Sequence, residues 1–152
     1  MRIFTVGHSN RSLAEFLALL DTHGIDLVAD VRSYSGSKRY PQFDRLQLER
    51  ELPIAGVEYA WVGKNLGGMR DYAAHMKTGE FRTALADLIA SAENRRVACM
   101  CAEKIPDQCH RNRMSDAVVG NGVEVWHIID KETVREHRVE ERPSTDRQST
   151  FF

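Results

Sequence analysis

Residues 97–113 read VACMCAEKIPDQCHRNR, and the rest of the chain is placed by them. The apolar run 97–100 is long enough for a buried strand and too short for a helix. Pro106 interrupts regular structure, and Asp107 is positioned to cap a helix starting near Gln108 or Cys109. Met114, Ala117 and Val118 give that helix an apolar face, which Gly120, Asn121 and Gly122 close. Cys101, Glu103, Cys109, His110 and Arg111 therefore gather at a strand-loop-helix junction. In open α/β sheets, ligands bind at such junctions, outside the carboxyl ends of the strands. The bland alternative has Cys99 and Cys101 as small buried hydrophobes and Arg111 as a solvated first-turn residue. Glu103 fits that alternative poorly, because a carboxylate at a strand end is normally partnered or facing a ligand.

Working outward, the same alternation recurs. Residues 3–6 form a short apolar strand that runs into Gly7, His8, Ser9 and Asn10. Ser12 and Glu15 make a capping box, and Leu13, Phe16, Leu17 and Leu20 repeat at helical spacing. Residues 27–31 are a second strand with Asp30 and Arg32 at its exit. A polar segment with Lys38, Arg39 and Pro41 follows, then Phe43, Asp44, Gln47 and Leu48 spaced as a hydrophobic staple and capping box. Residues 57–62 are a third strand, residues 63–68 a glycine-rich loop, Phe81, Leu85, Leu88 and Ile89 a helix, and residues 123–129 a fifth strand. This rhythm predicts a single-domain α/β fold. Its core is an open parallel sheet of about five strands flanked by helices, a Rossmann- or flavodoxin-like three-layer arrangement over residues 1–130.

Right-handed crossovers bring all the strand carboxyl ends to one edge. His8, Ser9, Asn10, Asp30, Arg32, Lys64, Cys101, Glu103 and His127 or Asp130 then converge, although each has an ordinary structural reading alone. Asp30 with Arg32 reads equally as an ion pair, His127 as a satisfied core histidine, and Gly67-Gly68 as any tight turn. As catalytic candidates the rim offers Asp30, Glu103, Cys101, His8 and Cys109. For an anionic substrate it offers Ser9, Asn10, Arg32, Lys38, Arg39, Lys64, Gly67, Gly68, His110 and Arg111. Cys109, near a helix start and beside His110, is a candidate for a lowered pKa, leaving nucleophilic and redox roles open. The cysteines match no standard zinc spacing, and neither a metal nor another cofactor is expected. A cysteine-phosphatase signature also fails, because the residue six past Cys101 is Asp107.

With 21 basic against 22 acidic side chains, the chain is not built to coat nucleic acid by bulk charge, although a local basic patch is compatible with that balance. Three cysteines make no disulfide framework, and no signal peptide or long apolar run is visible. The expectation is a cytoplasmic protein with reduced thiols and no membrane association.

The motifs 6–10 (VGHSN), 30–32 (DVR), 41–43 (PQF), 66–68 (LGG), 101–103 (CAE), 109–111 (CHR) and 127–128 (HI), with Phe81, resemble the family termed domain of unknown function 488. That resemblance implies a compact α/β fold with these residues lining a pocket, and it supplies no reaction. Tyr34, Ser35 and Gly36 stand where many members have proline, so the loop after Arg32 is expected to differ. The function expected is an enzyme acting on a nucleotide, nucleic acid or other phosphorylated substrate by acid-base chemistry, with Asp30 and Glu103 as proton-transfer or charge-stabilising groups, a thiol role left open, and DNA maintenance as one setting. The alternative is a non-catalytic anion- or nucleic-acid-binding module, or an adaptor.

Residues 131–152 read as a charged flexible tail. Its end, with Gln148, Phe151 and Phe152, resembles the peptide by which bacterial DNA-processing proteins dock on the sliding clamp, and folding back on its own domain is the competing reading. The oligomeric state is left open.

Overall fold

The computed structural model describes residues 1–139. Five parallel strands, β1 (Arg2–Gly7), β2 (Leu27–Asp30), β3 (Glu58–Trp61), β4 (Val97–Cys101) and β5 (Glu124–Ile128), lie in one sheet. A sixth, β6 (Val134–Glu136), pairs antiparallel with β5, and the spatial order is β3-β2-β4-β1-β5-β6. Helices α1 (Leu13–Thr22) and α2 (Arg45–Ile54) cover one face, burying Phe16, Leu19, Leu20, Leu48 and Leu52 against Phe4, Val6, Val28 and Met100. The other face carries the one-turn helices α3 (Gly63–Leu66) and α4 (Tyr72–His75), then α5 (Gly79–Ser91) and α6 (Arg111–Gly120). There Leu66, Phe81, Leu85, Met114 and Val118 pack on Ile3, Ala29, Val97 and Cys99. Successive strand residues point to opposite faces, so near-continuous apolar runs supply both cores.

Local chemistry sets the helix starts. Ser12 accepts from the Glu15 N–H while Glu15 accepts from the Ser12 N–H, the expected capping box. Asp44 caps α2 by accepting from Leu46 N–H, with Phe43 and Leu48 both fully buried beside it. Gln47 does not complete a box there; its side-chain oxygen accepts from Arg50 instead. Thr78 caps α5.

Three details depart from the sequence reading. Asp107 caps nothing: Pro106 opens a 3-10 turn over Pro106–Gln108, which delays α6 to Arg111 and leaves Asp107 paired with Arg135 at 3.3 Å on the surface. The glycine-rich segment is not all loop, since Gly63–Leu66 closes a helical turn. The sheet also runs past residue 130. The Asp130 carboxylate accepts from the Glu132 and Thr133 N–H groups, which turns the chain and lets β6 cover the edge of β5. Alternating charge in that segment hid a strand whose partner is a neighbouring backbone rather than an apolar face. Gln148, Phe151 and Phe152 lie outside the described residues. Among the described residues no helix is long and apolar enough to cross a membrane.

Candidate functional site

Strands β1 and β4 are neighbours, yet the chain leaves β1 for α1 on one face and β4 for α6 on the other. That divergence opens the sheet edge where ligands bind in doubly wound folds. Pairing persists past the strand ends: His8 N–H donates to Cys101 O and Ser9 N–H to Ala102 O, each at 2.9 Å. Gly7 permits this crossing, because a Cβ there would lie 1.7 Å from Glu103 O. Beyond it is a shallow cleft of about 320 Å³ whose walls include Arg32, Tyr34, Cys101, Glu103, Cys109 and His110.

The sulfur side of the cleft is organised by α6. Its cap, His110, contributes no side-chain cap; instead the Cys109 sulfur accepts the Arg111 N–H at 3.5 Å. Arg111 is fully buried, donating from one terminal nitrogen to Cys101 Sγ at 3.0 Å and from the other to Lys104 O at 2.9 Å. Its Nε has no partner, and no ion pair among the described residues includes it. A buried guanidinium without a carboxylate calls for another anion, and the adjacent groups able to ionise are the two thiols. The hydrogen bond from Cys101, then His110 and the Arg111 N–H, outweigh burial and hold the Cys109 thiol down to about 4. Burial, together with its bond to Cys109, pushes Cys101 well above the ordinary thiol value. Within the pair, the thiolate is favoured on Cys109 and disfavoured on Cys101.

His110 is held for a role beside that thiolate. Its Nε2 faces Val31 O at 3.1 Å, and a carbonyl only accepts, so Nε2 carries a proton and Nδ1 faces Cys109 Sγ at 3.5 Å. Tyr72 stands edge-on to the ring, centroids 5.4 Å apart. Gly68 is glycine because of this ring: a Cβ would sit 3.0 Å from His110 Nδ1. Gly67 is likewise pressed against the Ser33 backbone. The glycine pair makes room for neighbouring groups.

The carboxylate side is different. Asp30 is fully buried, and its oxygens accept from Arg32 Nε at 2.9 Å and a terminal nitrogen at 2.7 Å, with the Tyr59 hydroxyl at 2.5 Å. Burial pulls the Arg32 guanidinium pKa down, but Asp30 more than compensates and leaves it raised. Burial and the Asp30 charge push Tyr59 up. His8 stacks on Phe43, centroids 4.5 Å apart, and bonds Ser9 O through Nδ1–H at 2.8 Å. Burial, abetted by Arg32, holds it down to about 4, so its Nε2 meets Arg32 as a neutral lone pair at 3.4 Å. Asp30 lies beneath the cleft rather than in its wall, whereas Glu103 is exposed at the mouth, so the two carboxylates do not form a facing acid-base pair.

The remaining candidates are dispersed. Lys64 lines a separate groove along the free edge of β3, together with Trp61 and Asn65. Lys38 and Arg39 are exposed, Arg39 lying over the Tyr40 ring at 5.4 Å. Ser9 has φ 52° and its hydroxyl reaches only Asn10, at 3.4 Å. His127 is a satisfied core histidine, linking Thr5 (2.6 Å) to His137 (2.8 Å), which in turn donates to Asp116 at 2.7 Å. Burial, then His137, hold His127 down to about 3. The sequence reading missed Tyr59 and His137, whose partners are distant in the chain and carry no local signal. A larger groove of about 690 Å³ between α1 and the β5–β6 turn carries Arg11, Glu15 and Asp130 but no thiol or imidazole. Its volume exceeds that of the cysteine cleft, yet it holds less chemistry. Among the described residues no cluster of three or more His, Cys, Asp or Glu is arranged to hold a metal ion.

Fold and cleft together define a three-layer α/β protein with a cysteine-histidine pair at the switch point of its sheet. The chain belongs to the family described as domain of unknown function DUF488, whose model matches residues 12–71 and 64–118. No curated protein and no solved structure matches the chain.

Proposed function

We propose that the protein is an enzyme that uses Cys109 as a nucleophile on a small phosphorylated substrate. The observation that carries this is the triplet Cys109 Sγ, His110 Nδ1 at 3.5 Å and Val31 O at 3.1 Å from His110 Nε2. Nucleophile, base and a third group that orients the base are the signature of an activated thiol. The Cys109 thiolate attacks the electrophilic centre as its bond to the leaving oxygen breaks. His110 Nδ1, whose proton faces the thiolate, gives that proton to the departing oxygen and later takes one from the water that releases the covalent intermediate. Arg32, with its charge offset by Asp30, suits one or two substrate oxygens better than a polyanion. The small cleft, and the distance of Lys64 from it, favour a compact phosphate ester over a nucleic-acid strand.

Acid-quenched reactions with aryl phosphates and 5′-nucleotides test the mechanism. A covalent phosphoryl adduct on Cys109, absent in Cys109→Ser, is the expected result. Turnover undiminished in Cys109→Ser would overturn the nucleophile. Failure of phosphate and nucleotides to protect Cys109 from iodoacetamide would overturn the substrate class.

A further inference from the structure

We infer that Cys101 is a resolving thiol for Cys109, so that the cleft also reacts with hydroperoxides and closes into a reversible intramolecular disulfide. This rests on the reading of Cys109 as a nucleophile and extends it to a redox modification of the same site. One residue holds both sulfurs, since the Arg111 side chain donates to Cys101 Sγ at 3.0 Å and its backbone N–H to Cys109 Sγ at 3.5 Å. Both residues line the cleft; Cys109 is half-buried there and open to a small oxidant, whereas Cys101 is buried. Cys99, two residues earlier on β4, is fully buried, and its thiol is pushed up to about 12 by burial, so it stays out of the chemistry.

The Cys109 thiolate attacks the terminal oxygen of a hydroperoxide; the O–O bond breaks, a sulfenic acid forms, and the second oxygen takes a proton from solvent and leaves as alcohol or water. Cys101 then gives its proton to the sulfenic oxygen, its sulfur bonds to Cys109, and water departs. Two electrons pass from the dithiol to the peroxide. The disulfide is uncharged, so it leaves Arg111 buried without an anion. That destabilises the oxidised form and makes the bond readily reducible, the character of regulatory rather than structural disulfides.

The full chain, freshly reduced, is treated with one equivalent of hydrogen peroxide, alkylated after unfolding, and mapped by mass spectrometry. The expected result is a Cys101–Cys109 disulfide with Cys99 alone alkylated, fully reversed by dithiothreitol. Cys101→Ser is expected to stop at a dimedone-reactive Cys109 and proceed to sulfinic acid. Wild type that accumulates sulfinic acid at Cys109 without a disulfide, or that links two chains through Cys109, overturns the resolving role while leaving the nucleophile intact. If Cys109 reacts with peroxide no faster than Cys99, both readings fall together. The wild-type map decides the question even if the variant folds poorly.

Discussion

Two guanidinium groups are buried at the same sheet edge, and they are neutralised in opposite ways. Arg32 is 7% exposed and has both oxygens of Asp30 in a bidentate pair, supported by Tyr59. Arg111 is 0% exposed and meets a sulfur and a carbonyl, with its Nε unpartnered. The first charge is matched by a carboxylate in a bidentate pair, which holds Arg32 fixed in the cleft wall. The second is matched by a group that ordinarily carries a proton. Burial of Arg111 therefore does for the thiol pair what no surface cation could, because solvent screening is absent. In this rim, a carboxylate next to a buried arginine marks support, and a sulfur next to one marks reactivity.

The largest effect separating the two comes from Asp30→Asn. It leaves a buried guanidinium without its anion, and a loss of about 3–5 kcal/mol in urea unfolding is expected. A loss below about 1 kcal/mol would mean that the pair is solvent-relaxed and the contrast with Arg111 is unfounded. Arg111→Met should cost less stability, because the orphaned thiolate can simply take up a proton. Its signature is chemical: the fixed charge facing the thiol pair at Cys101 is gone, and Cys109 alkylation at mildly acidic pH should fall at least about tenfold. Equal stability losses with unchanged reactivity would erase the distinction.

A smaller effect appears in the pH dependence of stability. Cys109 is depressed in the folded state, from 9.0 to about 4. Its contribution is therefore complete above the unfolded value near 9.0 and is lost as pH falls through about 4. Cys101 is raised, so it opposes folding only above the ordinary thiol value. The stability gap between wild type and Cys109→Ser should widen from acid toward neutral pH; a flat gap would contradict the assignment of the charge to Cys109. The smallest effect is predicted for Lys64→Ala. It lies on the β3 groove, and both stability and Cys109 alkylation should stay within about 0.5 kcal/mol of wild type.

Sequence carried the fold and the sulfur side of the site further than the carboxylate side. Short apolar runs with polar residues at their exits place His8, Arg32, Cys101 and Glu103 at strand ends by period alone. The adjacency of Cys109, His110 and Arg111 follows from their being consecutive. Asp30 was ambiguous because a carboxylate beside an arginine reads the same whether it holds a ligand or a neighbour. Tyr59, which resolves the matter, reaches it from the next strand. Gly67 and Gly68 were ambiguous for a related reason: glycine signals close approach without saying to what, and here the neighbours include Ser33 and His110. Strand β6 was hidden because an edge strand paired through its backbone needs little apolar sequence.

The most direct test of the account is a site-resolved titration of Cys109 in the full chain. Pulsed iodoacetamide labelling across the acid and neutral range, read by mass spectrometry at Cys99, Cys101 and Cys109 separately, gives the thiolate fraction of each. A midpoint at about 4 for Cys109, with Cys99 silent throughout, is the predicted result. A Cys109 midpoint near the ordinary cysteine value of roughly 8.5 would contradict the claim that Cys101, His110 and the Arg111 backbone N–H hold it as a nucleophile.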